Sequence, residues 1–97
     1  MEFSRNMSKP PFEEVWRRIL RHEGETFYTK TGLPFTYTIR GNSLITNRTR
    51  YPLHKSNFET AYKLIPIDGP GKINRIVRGP AYVWTILHDP RISQGKW

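Results

Sequence analysis

Basic side chains recur through the middle of the chain, in a stretch that runs from residue 26 to residue 58 without one Asp or Glu. Lysine and arginine neutralise phosphate groups, and a run of them without acids is typical of a surface that binds nucleic acid. The same side chains can also form nothing more than the solvated face of a small domain. The stretch therefore predicts a polyanionic partner, with a solvated surface as the alternative. Its cations are Lys30, Arg40, Arg48, Arg50 and Lys55.

Charge and length limit the classes of protein to which the chain can belong. Its 97 residues carry 16 Lys and Arg against 8 Asp and Glu, a formal net charge of +8 at pH 7. This length predicts one domain with a thin core. The sequence has no cysteine, which excludes disulfides and thiolate metal sites and fits a reducing compartment such as the cytoplasm. No stretch reaches the ~18 consecutive apolar residues of a membrane span, so we expect no membrane partner.

An amphipathic helix is predicted over residues 11–23. Its apolar residues recur at intervals of three and four, which places them on one face. Glu13 and Glu14 meet the positive end of the helix dipole, and Gly24 follows as a C-terminal stop. The basic residues of the helix lie off that face and are expected to be solvated. The apolar stripe consists of Phe12, Val15, Trp16, Ile19 and Leu20, and the basic residues are Arg17, Arg18 and Arg21.

The middle of the chain predicts three β-strands, over residues 27–30, 34–40 and 43–48, which are rich in Thr, Tyr, Phe and Ile. The dipeptide Gly41-Asn42 has glycine at the first central position of a two-residue loop, as a type II′ hairpin requires. That loop fixes the register of the hairpin. We expect Arg40 to lie opposite Ser43, Ile39 opposite Leu44, and Tyr37 opposite Thr46.

One face of this hairpin is polar and is the sharpest functional feature of the sequence. An antiparallel sheet can enter the major groove of DNA, where Arg reaches guanine, Asn reaches adenine, and Thr offers a hydroxyl and a methyl group. Thr and Ser are also ordinary residues of an exposed strand and need no ligand. Ile45 is the discordant apolar residue on this face. The polar residues are Thr36, Thr38, Arg40, Ser43 and Asn47.

Further candidates for anion binding flank the predicted sheet. Tyr51 stands beside Arg48 and Arg50 at the expected strand end, where such a group can hold a phosphate and stack a base. Tyr51 can equally be a core residue. A turn or loop is predicted over residues 67–71, and the segment after it leads into a third helix over residues 80–88. That segment carries the cations Lys72, Arg75 and Arg78.

A second helix is predicted to open at Ser56. Ser56 and Glu59 have the spacing of a capping box, and Pro66 ends the helix. Lys55 just before the cap, together with the unpaired N–H groups of the first turn, makes a candidate phosphate site. Every helix has such an N-terminus, so the alternative is that this one has only a structural role.

The sequence gives little indication of catalysis. His22, His54 and His88 fall at separate predicted element ends and lack the close spacing of metal-binding motifs. Asp68 and Asp89 are not placed together by their spacing. We therefore predict no catalytic residue, no metal and no cofactor, and expect a protein that is not an enzyme. A metal-free ribonuclease using His54 and nearby cations is the lesser alternative.

These observations predict a small α+β domain, with an antiparallel sheet of about three strands packed by an N-terminal helix and two C-terminal helices. The domain should span residues 10–92, after a disordered or cloning-derived segment 1–9 and before a tail 93–97. We expect it to bind nucleic acid, with DNA favoured over RNA. The alternative is a protein-interaction module, as a homodimer or with another partner, because Tyr28, Tyr51, Trp84 and Trp97 exceed the needs of a thin core. The predicted contact residues are Lys30, Thr36, Thr38, Arg40, Asn47, Arg48, Arg50, Tyr51, Lys55, Lys72, Arg75 and Arg78.

Overall fold

The structure, a computed structural model, describes residues 9–97, so the prediction for the N-terminal segment falls outside the described residues except at Lys9. The Lys9 ammonium donates to the carbonyl oxygens of Tyr62 and Ile65, at 2.7 and 2.8 Å. It also lies 4.5 Å from the centre of the Tyr62 ring. Lys9 is therefore anchored on the domain.

The described chain is a small α+β domain in which a helix precedes antiparallel sheets of two and three strands and further helices follow them. A 3₁₀ helix, Pro70–Ile73, lies between the helices Lys55–Tyr62 and Pro80–His88. Within residues 9–97, no helix is long and apolar enough to cross a membrane. The elements are α1 (Phe12–Arg21), β1 (Phe27–Tyr28), β2 (Pro34–Phe35), β3 (Tyr37–Arg40), β4 (Ser43–Thr46), β5 (Leu53–His54), α2 (Lys55–Tyr62), α3 (Pro80–His88) and α4 (Pro90–Ser93).

Helix α1 begins after Pro11 and buries four residues of the predicted apolar stripe, Phe12, Val15, Trp16 and Ile19. The fifth, Leu20, was also expected on the buried face but is 38% exposed. Arg18 was expected to be solvated, but it is buried, with only 7% of the residue exposed. Its Nη1 donates to the carbonyl oxygen of Ile92 at 2.8 Å, and its Nε donates to Glu14 at 3.3 Å. Arg18 therefore ties α1 to α4, and burial of the guanidinium is compensated by hydrogen bonds and an ion pair.

The β3–β4 hairpin has the register that Gly41-Asn42 predicts, with Arg40 opposite Ser43 and Tyr37 opposite Thr46. The predicted strand 34–40 is instead divided at Thr36. Its first part pairs with β1 and its second part with β4. At the division the backbone N–H of Thr36 donates to Oδ1 of Asn47 at 3.0 Å. The Thr36 carbonyl oxygen still accepts from the backbone N–H of Asn47 at 3.0 Å, so the side chain of Asn47 replaces only the backbone acceptor.

Strand β5 was not predicted from the sequence. It pairs with β4 so that His54 lies opposite Ser43 and Leu53 opposite Leu44. Leu53 is fully buried, whereas His54 lies on the exposed face. Two residues are too few to show a strand periodicity, so only the pairing with β4 reveals this strand.

Helix α2 begins one residue earlier than predicted and is capped differently. Nδ1 of His54 accepts a hydrogen bond from the backbone N–H of Ser56 at 3.0 Å, so His54 is the N-cap. Ser56 was expected to be the cap residue and lies inside the helix. Lys55 is likewise its first residue rather than the residue before it.

The C-terminal segment packs against the domain, contrary to its expected character as a tail. Helix α3 has the predicted bounds, and the side chain of Asp89 caps α4 by accepting from the backbone N–H of Arg91 at 2.9 Å. Ile92 is fully buried. The indole N–H of Trp97 donates to the carbonyl oxygen of Leu87 at 2.8 Å.

Candidate nucleic-acid interface

Segment 68–79 carries three exposed cations and contacts two residues from other parts of the sequence. At its start, the Lys30 ammonium donates to the backbone carbonyl oxygen of Asp68 at 2.5 Å. At its end, the Arg78 guanidinium lies 4.7 Å from the centre of the Tyr51 ring. Both anchored cations and the exposed cations between and beside them form what we call the basic strip. It comprises Lys30, Lys72, Arg75, Arg78 and Arg50.

The Arg78–Tyr51 contact is held by the surrounding backbone. The backbone N–H of Arg78 donates to Oδ1 of Asn57 at 3.2 Å. Gly79 follows with φ of +61°, and a Cβ on it would lie 2.8 Å from a methyl carbon of Leu53. Glycine is therefore required here for both its conformation and the close approach to β5. Tyr51 is 38% exposed, so its ring is a surface group and not a core residue.

Arg48 and Arg50 flank this contact differently. The Nε of Arg48 donates to the carbonyl oxygen of Pro34 at 2.9 Å, which holds the guanidinium against β2. Arg50 is exposed, and no hydrogen bond joins its side chain to another described residue. Arg50 is therefore free to move towards a ligand, while Arg48 is partly preorganised.

The acidic side chains of the described residues form their ion pairs elsewhere. Glu14 pairs with Arg17 and Arg18, and Glu25 pairs with Arg91. Within residues 9–97, no carboxylate forms a salt bridge with a cation of the basic strip. The contact of Lys30 with Asp68 is made to the backbone carbonyl, not to the carboxylate. The strip thus retains its positive charge.

Lys55 is neutralised by a residue from a distant part of the sequence. Its ammonium lies 3.1 Å from the carboxylate of Glu13 on α1, and its side chain is 22% exposed. It also lies 5.8 Å from the centre of the Trp16 ring. Because of these contacts, Lys55 is a weaker phosphate ligand than the sequence predicts from its position near the start of the helix.

The polar face of the hairpin carries less charge than the sequence stretch as a whole. Thr38 and Arg40 are exposed on it, and Thr36 and Ser43 are partly exposed. Asn47 uses its Oδ1 to accept from Thr36. Bidentate contact with adenine needs the oxygen and the nitrogen of the carboxamide. Asn47 can therefore make this contact only if its hydrogen bond with Thr36 is broken.

Strand β5 adds a residue to this face that the sequence did not indicate. Arg40 lies opposite Ser43, and Ser43 lies opposite His54. Directly opposed residues have Cβ atoms roughly 4.5–5.5 Å apart, so the three side chains form a row across the sheet. The pairing of β5 with β4 reveals this row of side chains, which the sequence did not indicate.

Each histidine has a local partner. His22 contacts the carboxylate of Glu25 at 3.0 Å. His54 caps α2 and also contacts the hydroxyl of Ser56 at 3.0 Å. His88 accepts from the backbone N–H of Ile67 at 3.2 Å, and burial lowers the pKa of its imidazole. Within residues 9–97, no three His, Cys, Asp or Glu side chains form a group that could hold a metal ion.

The fold and the basic strip define this chain as a small α+β domain with a cationic surface. Comparison with known protein families, with curated proteins and with solved structures gives no significant match.

Proposed function

We propose that this protein binds nucleic acid, with duplex DNA as the first candidate, through the basic strip and the adjacent hairpin. The observation that carries the proposal is the contact of Arg78 with the exposed Tyr51 ring, beside Arg50, which forms no salt bridge within residues 9–97. Cations that face no carboxylate attract phosphates, and an exposed aromatic ring offers a surface for a base or sugar.

The exposed sheet supports DNA over duplex RNA. The hairpin presents Thr38 and Arg40 as exposed side chains. The major groove of B-form DNA admits a β-ribbon, whereas the deep and narrow major groove of RNA does not. In this proposal the basic strip contacts phosphates, and Arg40 reaches a base edge.

A binding assay at several salt concentrations tests the proposal. Fluorescence anisotropy would compare duplex DNA, single-stranded DNA and duplex RNA of equal length. We expect the tightest binding to duplex DNA, with log K falling linearly with log salt at a slope of about −0.9 for each phosphate contacted. A folded sample that binds none of the three at low salt contradicts the proposal.

A second candidate, a protein interface, is favoured by exposed apolar side chains. Tyr28 is 62% exposed, Leu33 41% and Ile76 51%. Trp84 and Trp97, in contrast, pack against the core. An interface of this kind keeps its affinity when salt is added. Sedimentation equilibrium over a range of protein and salt concentrations would detect a homodimer and distinguish it from phosphate-driven binding.

A further inference from the structure

A surface cavity lies at the Lys30 end of the basic strip. Its volume is about 420 Å³, and it is shallow and open to solvent. Its lining combines two ammonium groups, one carboxylate and the small residues of a turn. These residues are Lys30, Asp68, Gly69, Gly71 and Lys72.

The ammonium of Lys30 is held in place at this cavity. It donates to the backbone carbonyl oxygen of Asp68 at 2.5 Å and lies 5.5 Å from the centre of the Trp84 ring. Trp84 is itself fixed, because its indole N–H donates to the carbonyl oxygen of Ile67 at 2.9 Å. The long lysine side chain therefore loses less freedom on binding than an unanchored one would.

Gly69 makes this position of Lys30 possible. A Cβ on Gly69 would lie only 2.9 Å from Nζ of Lys30. The φ of Gly69 is 179°, an extended conformation that any residue adopts. A side chain at this position would therefore displace the ammonium without straining the backbone.

We propose that this cavity binds a phosphate monoester, with Lys30 and Lys72 as its cationic ligands. A monoester carries a charge of about −1.5 to −2 at pH 7, which matches two ammonium groups better than the single charge of a backbone phosphate does. No salt bridge within residues 9–97 neutralises either lysine. The Asp68 carboxylate lies at the same cavity and opposes the anion. The proposal does not depend on the binding of a nucleic-acid duplex by Arg50 and Arg78.

A titration of ¹⁵N-labelled protein with inorganic phosphate tests this site. We expect saturable shifts of the amide signals of Gly69, Gly71 and Lys72. Lys30→Gln and Lys72→Gln should each weaken binding about fivefold, as the loss of one partly exposed ion pair does. Asp68→Asn should strengthen it, because a repulsive charge is removed. Lys63→Gln, at an exposed lysine after α2, is the matched control and should change nothing.

Gly69→Ala separates the position of Lys30 from its charge. We expect weaker phosphate binding with an unchanged melting temperature, because only the flexible end of Lys30 must move. The inference is overturned if wild-type signals fail to saturate, or if the variants at residues 30, 69 and 72 bind phosphate as the wild type does.

Two sources of the monoester can be distinguished with the same protein. Tighter binding of a 5′-phosphorylated single strand than of the same strand with a 5′-hydroxyl identifies a strand end. Equal binding of the two strands, with saturation by adenosine monophosphate, identifies a free nucleotide. Arg50→Ala and Arg78→Ala should leave the phosphate titration unchanged, so failure of the cavity and failure of duplex binding give different results.

Discussion

The Arg78 guanidinium lies 4.7 Å from the centre of the Tyr51 ring, on a surface where no described carboxylate pairs with the arginine. A guanidinium on an aromatic face is stabilised by the quadrupole of the ring and keeps its N–H groups at the edge of the plane. These N–H groups remain available to phosphate oxygens. The pair therefore joins a stacking surface to an anion ligand.

Removing the charge at this pair should weaken binding to all sequences by a similar factor. Arg78→Ala and Arg50→Ala are each expected to reduce the salt slope by about one, since one phosphate contact is lost. Anisotropy titrations at several salt concentrations would measure both effects. Arg17→Ala is the control, because Arg17 is exposed but pairs with Glu14 on α1. An equal loss in the Arg17 variant would argue against a defined interface.

Arg40 should act differently, because it lies at the tip of the hairpin, opposite Ser43. If it reaches a guanine with both N–H groups, Arg40→Ala should remove roughly 1–3 kcal/mol of preference for the best site over a mismatched one. Selection of bound sequences from a random pool would reveal the loss. Melting curves must first show that the variant folds. An unchanged preference would assign Arg40 to the solvated surface.

Stability should fall in acid because of Asp89, the N-cap residue of α4, whose carboxylate forms an ion pair with Arg91. Burial alone would raise the pKa of Asp89, but hydrogen bonds from Arg91 outweigh burial and hold this pKa below its ordinary value. The folded state then binds fewer protons than the unfolded chain. This contribution is full above about pH 4 and is lost as the pH falls through the lowered pKa.

Asp89→Asn tests this contribution while retaining an oxygen that can cap α4. We expect a loss of about 1 kcal/mol in the free energy of unfolding at pH 7. The difference from wild type should shrink as the pH is lowered below about 4. Urea denaturation at a series of pH values would measure it. Glu59→Gln, at an exposed side chain without an ion pair in the described residues, is the control. A pH-independent difference would show that the charge of Asp89 is not the cause.

Trp97 should contribute to stability through its contacts with α2 and α3. Its ring meets the Tyr62 ring edge-on at 5.3 Å between centroids, and its indole N–H donates to Leu87. Trp97→Ala should lower the free energy of unfolding by about 1–3 kcal/mol, from the lost aromatic contact and hydrogen bond. Trp97→Phe should lose less. Urea midpoints equal to that of the exposed-site variant Lys96→Ala would contradict this packing.

The sequence by itself determined the elements whose signals are local. Gly41-Asn42 set the register of the hairpin, because a two-residue loop allows few backbone conformations. Pro80 and Pro90 bounded α3, since proline starts a helix readily and disrupts its interior. The periodicity of α1 likewise identified its buried face, although it did not reveal that Arg18 is buried through a hydrogen bond to Ile92.

Tertiary structure alone decided which cations stand together and which are neutralised. Lys30 meets Asp68 across 38 residues of sequence, and Lys55 meets Glu13 across 42. Strand β5 forms only by pairing with β4. Neither composition nor periodicity encodes such partners, because they depend on how helices and sheets pack. The stretch 26–58 has no acidic residue, yet the fold brings Glu13 onto one of its cations. The basic strip also includes Lys72, Arg75 and Arg78, which lie outside that stretch.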